Sequence, residues 1–320
     1  MSKESVVGEP VMPEVKMHVR KPTEPGIGVV TKNEVCTVTK KSAGFVRHLE
    51  IDVSRAGLTG VCHPGQAIGV IPDGVDAKGL SHKVRLYSLA SPLAGEDGEG
   101  KIYSTTVKRT IDEHWDDHKL FLGVASNFLC DAQVGQEIRI SGPNGKRFLL
   151  PADPHAHDYV FIATGTGIAP FRGMLLELIR QKCKSRITLI MGAPYATDLL
   201  YHDYFLKTAA ENPNFNYISA ISREKQADGH DPLYVQDRFR TDRDRLVPQL
   251  KDQRNLIYIC GIAGMELGIF QQLALELQGE ALEQYLRCDA EVLRDIRGWD
   301  RRMIHKEVRP TRRVLMEVYA

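Results

Sequence analysis

The chain has 320 residues, enough for two domains of ordinary size, each with a core of its own. Its 42 Lys and Arg nearly balance 41 Asp and Glu, so a net charge of +1 makes no whole-chain electrostatic case for a nucleic-acid partner. The six cysteines (Cys36, Cys62, Cys130, Cys183, Cys260 and Cys288) contain no Cys-x-x-Cys pair, which leaves a zinc ribbon or iron–sulfur cluster unsupported and favours free thiols in a reducing compartment.

Residues 1–27 are rich in Pro, Lys and Glu with little apolar periodicity, the pattern of a loosely held, flexible arm. No apolar segment follows Met1 and no run of 18 apolar residues occurs. The expectation is a cytoplasmic protein without a signal peptide or a membrane-spanning helix. From Gly28 the text becomes strand-like. Residues 34–39, 45–53 and 137–141 alternate apolar and polar side chains between Gly, Pro, Asn and Asp punctuation, which fits an antiparallel β-barrel over 28–151. After Pro151-Ala152-Asp153-Pro154 the grammar changes. Apolar runs at 159–163, 187–191, 217–221 and 256–260 alternate with helical stretches at 168–182, 233–250 and 263–278, the rhythm of an α/β domain with a parallel sheet over 152–320.

Three local patterns invite chemistry. In Arg85-Leu86-Tyr87-Ser88, strand alternation sends Arg85 and Tyr87 to one face and Leu86 and Ser88 to the other. A guanidinium fork that can hold a diphosphate then lies two residues from a ring that can stack on a planar heterocycle. An exposed Arg beside a packed Tyr is the plainer alternative. Second, Val160-Phe161-Ile162-Ala163 runs into Thr164-Gly165-Thr166-Gly167 and a helix opening at Ile168-Ala169-Pro170. Small residues between a strand and a helix start let a ligand approach the backbone, although such a turn alone is equally a tight bend. Third, His114 and His118 stand four apart within Asp112–His118, but the polar setting reads as a solvated loop, and no metal is expected.

The order of motifs says more than any one of them. Gly65–Ile71, Arg85-Leu86-Tyr87-Ser88, Val107-Lys108-Arg109, Gly123–Asp131, Gly142-Pro143-Asn144-Gly145, the Thr/Gly turn, Ser222-Arg223-Glu224, Tyr258–Glu266 and a closing Glu317-Val318-Tyr319 follow one another. Over roughly residues 28–320 this series resembles the plant-type ferredoxin–NADP(+) reductase family, and the resemblance implies an FAD-binding barrel followed by an NADP-binding α/β domain.

On that resemblance, Arg85 would hold the FAD diphosphate, Leu86 belongs to the same cofactor motif, Tyr87 would stack on the isoalloxazine and Ser88 would hydrogen-bond near flavin N5. Thr106, Val107 and Lys108 match the strand along the adenine side of FAD. Gly123, Val124, Ala125 and Ser126 match the turn and helix start facing its diphosphate. Thr166 matches a position contacting both cofactors, and Ala193-Pro194 and Gly261-Ile262 match turns along the NADP path. Ser222 and Arg223 match the 2′-phosphate site, with Tyr234 stacking on adenine. Cys260 would pack beside the reacting nicotinamide C4 and flavin N5. Tyr319 would cover the flavin face that nicotinamide must reach, and Glu317, with Ser88, would stabilise charge and link flavin N5 to solvent protons.

The chain also departs from the family pattern. Pro232 stands where a lysine is common, leaving Lys225 or Arg238 as substitutes. Ala263 and Leu267 replace lysines, Ala320 follows the terminal tyrosine, and the segment from about 289 to 313 is longer and more basic than usual. Basic candidates for an acidic partner are Lys83, Lys146, Arg147, Arg301 and Arg302. The implied function is that of an FAD-dependent ferredoxin–NADP(+) reductase. Hydride would pass between NADP(H) and FAD N5, and single electrons between FAD and ferredoxin or flavodoxin. The alternatives are an NADPH-dependent reductase component of an oxygenase system and a non-enzymatic FAD/NADP-binding redox-sensing module. The presence of Ser88, Cys260, Glu317 and Tyr319 argues against the module.

Overall fold

The computed structural model describes residues 8–39 and 46–319; Phe45 of the second expected strand, the first seven residues of the arm and Ala320 lie outside them. The described residues group into two compact units. The first is built from Met12–Leu150 and Ile168–Lys182. Its chain runs through β1 (Gly26–Val35), β2 (Val46–Asp52), β3 (Ala67–Ile71), β4 (Arg85–Ser88), β5 (Ile102–Lys108), the small hairpin β6 (Ile111–Glu113) and β7 (Leu120–Leu122), helix α1 (Val124–Asp131) and β8 (Glu137–Asn144).

Six strands pair antiparallel in the order β4-β3-β8-β1-β2-β5. Just past β4, the bridge between Leu89 and Thr105 returns to β5 and closes the sheet into a barrel. Closure removes the exposed edge that an open sheet would present. Val30, Leu49, Ile51, Ile68, Val70, Tyr103, Val107, Ile138 and Ile140 meet in its interior, essentially without solvent contact.

Three expectations shift here. The first strand lies at 26–35 rather than 34–39. Residues 26–30 alternate buried and half-buried, but two of them are glycines, which a count of apolar side chains passes over. Residues 112–118 close a hairpin, 112 and 113 in β6 and 114–118 in its exposed turn, with Ile111 opposite Leu122 and Glu113 opposite Leu120, and His118 Nδ1 sits 2.6 Å from Glu113 Oε1. The described part of the arm is held by its backbone. Arg20 exchanges two hydrogen bonds with Gly142 (2.9 and 2.8 Å), His18 N–H donates to Pro143 O (2.9 Å), and Val11 O accepts from Ala152 N–H (2.8 Å). These bonds need no apolar side chains, so composition does not register them.

Helix α2 (Ile168–Arg180) clusters with the barrel unit. Arg172 donates to Ala90 O (2.8 Å) and pairs with Glu96, while Glu177 accepts from the Leu93 N–H (2.9 Å). This side of the helix is pinned by charge and hydrogen bonds to residues 90–96.

The second unit holds Pro151–Gly167 and Cys183–Ala320, with the described end of Met1–Val11. It contains β9 (Asp158–Thr164), β10 (Ile187–Ala193), α3 (His202–Glu211), β11 (Phe215–Ile221), α4 (Arg238–Thr241), α5 (Arg243–Lys251), β12 (Asn255–Ile262), α6 (Met265–Glu276) and α7 (Glu280–Glu283). A two-residue pair, β13 (Leu286–Arg287) and β14 (Arg309–Pro310), and the last strand β15 (Val314–Tyr319) complete it. Five strands pair in parallel in the order β11-β10-β9-β12-β15. The three central strands β10, β9 and β12 are buried almost throughout, as expected of strands covered on both faces. The chain steps outward one way from β9 and then resumes on the other side at β12. The gap between the C-terminal ends of those two strands is the topological switch point, where open α/β sheets bind ligands. Among the described residues no helix is long and apolar enough to cross a membrane.

Candidate active site

The switch point is built by close approach. Thr164 ends β9, and the turn Gly165-Thr166-Gly167 follows. A Cβ on Gly167 would stand 2.1 Å from the carbonyl oxygen of Cys260, so only glycine lets this turn lie against β12. Gly261, at φ +150°, faces the same constraint from the other side, since a Cβ there would meet Thr164 Oγ1 at 2.1 Å. Thr164 Oγ1 in turn accepts the Ile262 N–H at 3.0 Å. Two strand ends, each carrying a glycine, are thereby locked side by side.

Register on the neighbouring strand adds the rest. β15 runs parallel to β12 with Cys260 opposite Glu317, Gly261 opposite Val318 and Ile262 opposite Tyr319. Tyr319 Oη lies 2.8 Å from Thr166 Oγ1, which ties the end of β15 to the turn after β9. Cys260 is buried, and burial first, then the nearby Glu317, pushes its thiol up, so it stays protonated and packs as a small apolar group. Burial also raises the Glu317 carboxyl above the ordinary carboxylate range. Tyr319 is 41% exposed and its hydroxyl is likewise pushed up, chiefly by desolvation. Four of the residues singled out in the sequence (Thr166, Cys260, Glu317 and Tyr319) thus form one cluster of uncharged or charge-averse groups with an exposed aromatic ring at its rim.

A second cluster sits at the ends of β10 and β11. The Ser222 and Arg223 N–H groups donate to Ala193 O and Pro194 O, both at 3.0 Å, so two motifs far apart in sequence are one backbone pair. Leu233 N–H donates to Ile221 O (2.9 Å) and sets the next residue, Tyr234, beside them; its ring is 64% exposed. Arg223 is exposed and Ser222 half-buried. The proposed substitute Arg238 is not available to this cluster. It is 2% exposed and its guanidinium is committed to Asp228 (2.6 Å), Asp242 (3.2 Å) and Ser219 O (2.9 Å). A buried arginine with two carboxylates is a structural knot, since stripping one partner would leave an uncompensated charge. Lys225 is exposed.

On the barrel unit, β4 lies against β3 with Tyr87 opposite Ile68 and Arg85 opposite Val70. Alternation is only partly kept: Arg85 and Leu86 are exposed, and Tyr87 and Ser88 half-buried. Tyr87 packs on the barrel core near Cys130 of α1, and desolvation pushes its hydroxyl up to about 12. Thr106 and Val107 are buried in β5, whereas Lys108 is exposed. Helix α1 opens at Gly123 without a side-chain cap, and Ser126 Oγ is spent locally, donating to Gly123 O and accepting the Thr110 N–H (both 3.1 Å). The first-turn N–H groups of Val124, Ala125 and Ser126 have no intrahelical acceptor. A solvent-facing guanidinium at Arg85, an uncapped helix start and a half-buried aromatic form a donor set that fits the diphosphate and flat ring system of a flavin dinucleotide.

The basic candidates divide. Lys83, Lys146, Arg147 and Arg302 are exposed. Arg301 stands 3.4 Å from the buried Glu266 carboxylate at the start of α6 and is partly spent there. His48, Glu50 and Glu96 bring ligand-type atoms within 4.8 Å of one another, but Lys32 and Arg172 already answer the two carboxylates.

The model for the oxidoreductase NAD-binding domain family matches residues 161–270. The chain is 37% identical over 262 residues to a ferredoxin–NADP reductase of Spirulina sp., covering 80% of this chain and 88% of that one. It is 41% identical over 211 residues to the chloroplastic leaf isozyme 1 of ferredoxin–NADP reductase from Arabidopsis thaliana, covering 64% of this chain and 58% of that one. A solved ferredoxin–NADP+ reductase from Plasmodium falciparum shares the fold, with a TM-score of 0.69 at 22% identity over 94% of this chain and 99% of that one. The same Plasmodium enzyme has been solved with 2′P-AMP, matching at a TM-score of 0.65 and 22% identity over 81% of this chain and 95% of that one. The chain belongs to the ferredoxin–NADP reductase family and is an oxidoreductase of that kind.

Proposed function

We propose that the chain binds FAD on its barrel unit and NADP(H) at the C-terminal ends of its parallel strands, and exchanges electrons with ferredoxin or flavodoxin. The observation that carries this reading is the register pair Cys260–Glu317 with Tyr319 hydrogen-bonded to Thr166 at the switch point of the sheet. When bound, FAD supplies a two-electron acceptor at N5 that can give its electrons up one at a time.

The protein's own part is orientation, exclusion of water and proton management. Arg85 and the α1 amides would hold the FAD diphosphate, Tyr87 would stack on the ring system, Leu86 and the strand residues Thr106, Val107 and Lys108 would border the cofactor, and Ser88 would offer a hydroxyl near the reacting edge. Gly261 and Ile262 guide the nicotinamide half, and Ala193-Pro194, Ser222, Arg223 and Tyr234 hold the 2′-phosphate and adenine. Cys260 fills the space beside the reacting carbon without ionising, because a thiol pushed up by burial donates no charge at neutral pH. Glu317, raised by the same burial, keeps a proton to higher pH than an exposed carboxylic acid and so can pass one to the cofactor edge. Tyr319 occupies the nicotinamide position until the nucleotide displaces its ring. Lys83, Lys146, Arg147, Arg301 and Arg302 meet the acidic carrier, with Arg301 contributing less because Glu266 shares it. Residues 28–151 and 152–320 are the corresponding FAD and NADP domains, apart from α2, which clusters with the barrel.

The test is stopped-flow reduction of the FAD-loaded protein by NADPH and by NADH, followed by mixing with ferredoxins and flavodoxins. Faster reduction by NADPH and reoxidation by either carrier are expected. Faster reduction by NADH would sink the NADP assignment, and failure to pass electrons to any such carrier would favour an oxygenase reductase component.

A further inference from the structure

Arg223 has a neighbour outside every motif. Its guanidinium carbon lies 5.7 Å from the centroid of the Tyr195 ring, within cation–π range. Tyr195 follows directly on Ala193-Pro194, whose carbonyls receive the Ser222 and Arg223 N–H groups, and it is 39% exposed. It also leads into the short turn Ala196–Asp198, and the N–H of Ala196 donates to Glu224 Oε2 at 2.9 Å. That bond fixes the turn carrying the ring. It also turns the carboxylate adjacent to Arg223 onto a backbone donor, away from the guanidinium. Among the described residues Arg223 has no carboxylate partner, so the aromatic face is the group that orients it.

We propose that Tyr195 is a specificity-determining positioning residue: its ring holds Arg223 ready for a phosphate monoester on the ribose of the nucleotide, so that the chain separates NADPH from NADH. The proposal rests on the reading of Ser222, Arg223 and Tyr234 as the 2′-phosphate site. A guanidinium covered on one face by a ring keeps its N–H edge free, and that edge makes the bidentate contact with phosphate. Holding it in place beforehand lowers the ordering cost that a flexible arginine would meet on binding. The arrangement matters more here than with a second cation present, since Pro232 supplies none and Arg238 is buried among carboxylates. Tyr234 stands on the same rim but has the adenine to hold, so the two exposed rings divide the work.

The experiment uses the FAD-loaded protein, with KM for NADPH and NADH and competitive inhibition by 2′-AMP as readouts. Arg223→Ala should raise the NADPH KM and the 2′-AMP inhibition constant on the order of tenfold to a hundredfold, the loss of a charge-assisted contact, and change the NADH KM far less. Tyr195→Leu should raise the same two constants about two- to fivefold without changing the NADH KM or kcat. Tyr195→Phe, which keeps the ring, should behave as the parent. Should Arg223→Ala move them while Tyr195→Leu does not, or Tyr195→Leu weaken both nucleotides equally, the role of Tyr195 is overturned. Failure of Tyr195→Phe to restore discrimination overturns it too. No effect of Arg223→Ala would instead overturn the phosphate-site reading itself.

Discussion

The two ends of the parallel sheet are made of the same strands and do opposite things with their polar groups. At the N-terminal ends, charges are spent on one another. Asp158, its side chain 5% exposed, accepts the Arg186 N–H (2.9 Å) and Nε–H (2.8 Å) and lies 3.8 Å from Arg254. Arg186 also pairs with Asp252, and Arg313 donates to Gln253 O. Around the switch point, where β9, β12 and β15 end, the side chains singled out for a ligand are less committed. Thr166 is half-buried and Ile262 exposed, Tyr319 keeps a single side-chain bond, and Glu317 makes no ion pair among the described residues. The contrast separates groups that hold strands in register from groups kept uncommitted for a ligand.

If that division is real, the ends should fail differently. Asp158→Ala strands the Arg186 and Arg254 cations and a backbone N–H, and should cost about 2 kcal/mol of stability, discounted because Arg186 is half-exposed. Urea denaturation would read the loss, and kcat per folded molecule should stay at the parental value. A parallel fall in kcat would show the two ends to be coupled. Tyr319→Ser is the mirror experiment. Removing a ring that is 41% exposed should move stability by less than about 1 kcal/mol. Clearing the nicotinamide position should tighten NADP+ binding, by difference spectroscopy, and improve the use of NADH on the order of tenfold. An unchanged NADH KM would argue against a ring that has to move.

The two ends also differ in how far the sequence discloses them. β9, β10, β11 and β12 stand out because strands covered on both faces read as unbroken apolar runs. β15 does not, since Val-Leu-Met-Glu-Val-Tyr is short and only its first two positions are buried. It was visible solely as a Glu-x-Tyr motif. Helix α3 escaped notice because His202–Glu211 is polar enough to pass for a loop and buries only Phe205 and Thr208. The barrel was legible as alternation, but its closing bridge, Leu89 to Thr105, is a tertiary event with no local signature. Motif order named Ser222, Arg223 and Tyr234, yet it could not show that Ala193-Pro194 is their backbone partner. Nor could it show that Asp228 and Asp242 remove Arg238, because both facts depend on which loops fold onto which strand ends. Tyr195 carried no signal at all: an aromatic after a proline fits many turns.

A pH experiment probes the uncommitted end without opening it. Burial raises the Glu317 carboxyl, so the native state keeps its proton where the unfolded chain, near the reference 4.5, has already given it up. The native state then binds more protons than the unfolded one between those two values. Stability contributed by neutral Glu317 is present below about 4.5 and declines as pH rises toward the native value. Glu317→Gln, which cannot ionise, should therefore melt higher than the parent at pH 7, and the gap should close below pH 4.5. A gap that instead widens toward low pH would mean that a cation, absent among the described residues, pairs with Glu317.

The smallest effect tests the link between the sheet's switch point and its rim. Thr166→Val keeps the β-branched shape and deletes only the 2.8 Å bond to Tyr319 Oη. Both hydroxyls lie near solvent, so water takes up the lost bond and the stability change should stay within about 0.5 kcal/mol. The population of Tyr319 is what should move. Losing a bond that holds its ring in place raises the fraction swung away, and NADP+ should bind about twofold tighter, in the same direction as Tyr319→Ser but well short of it. In the Tyr319→Ser background the threonine change should add nothing, because the partner it restrains is gone. Weaker NADP+ binding in both backgrounds would mean that Thr166 serves the nucleotide directly and does not act through the tyrosine.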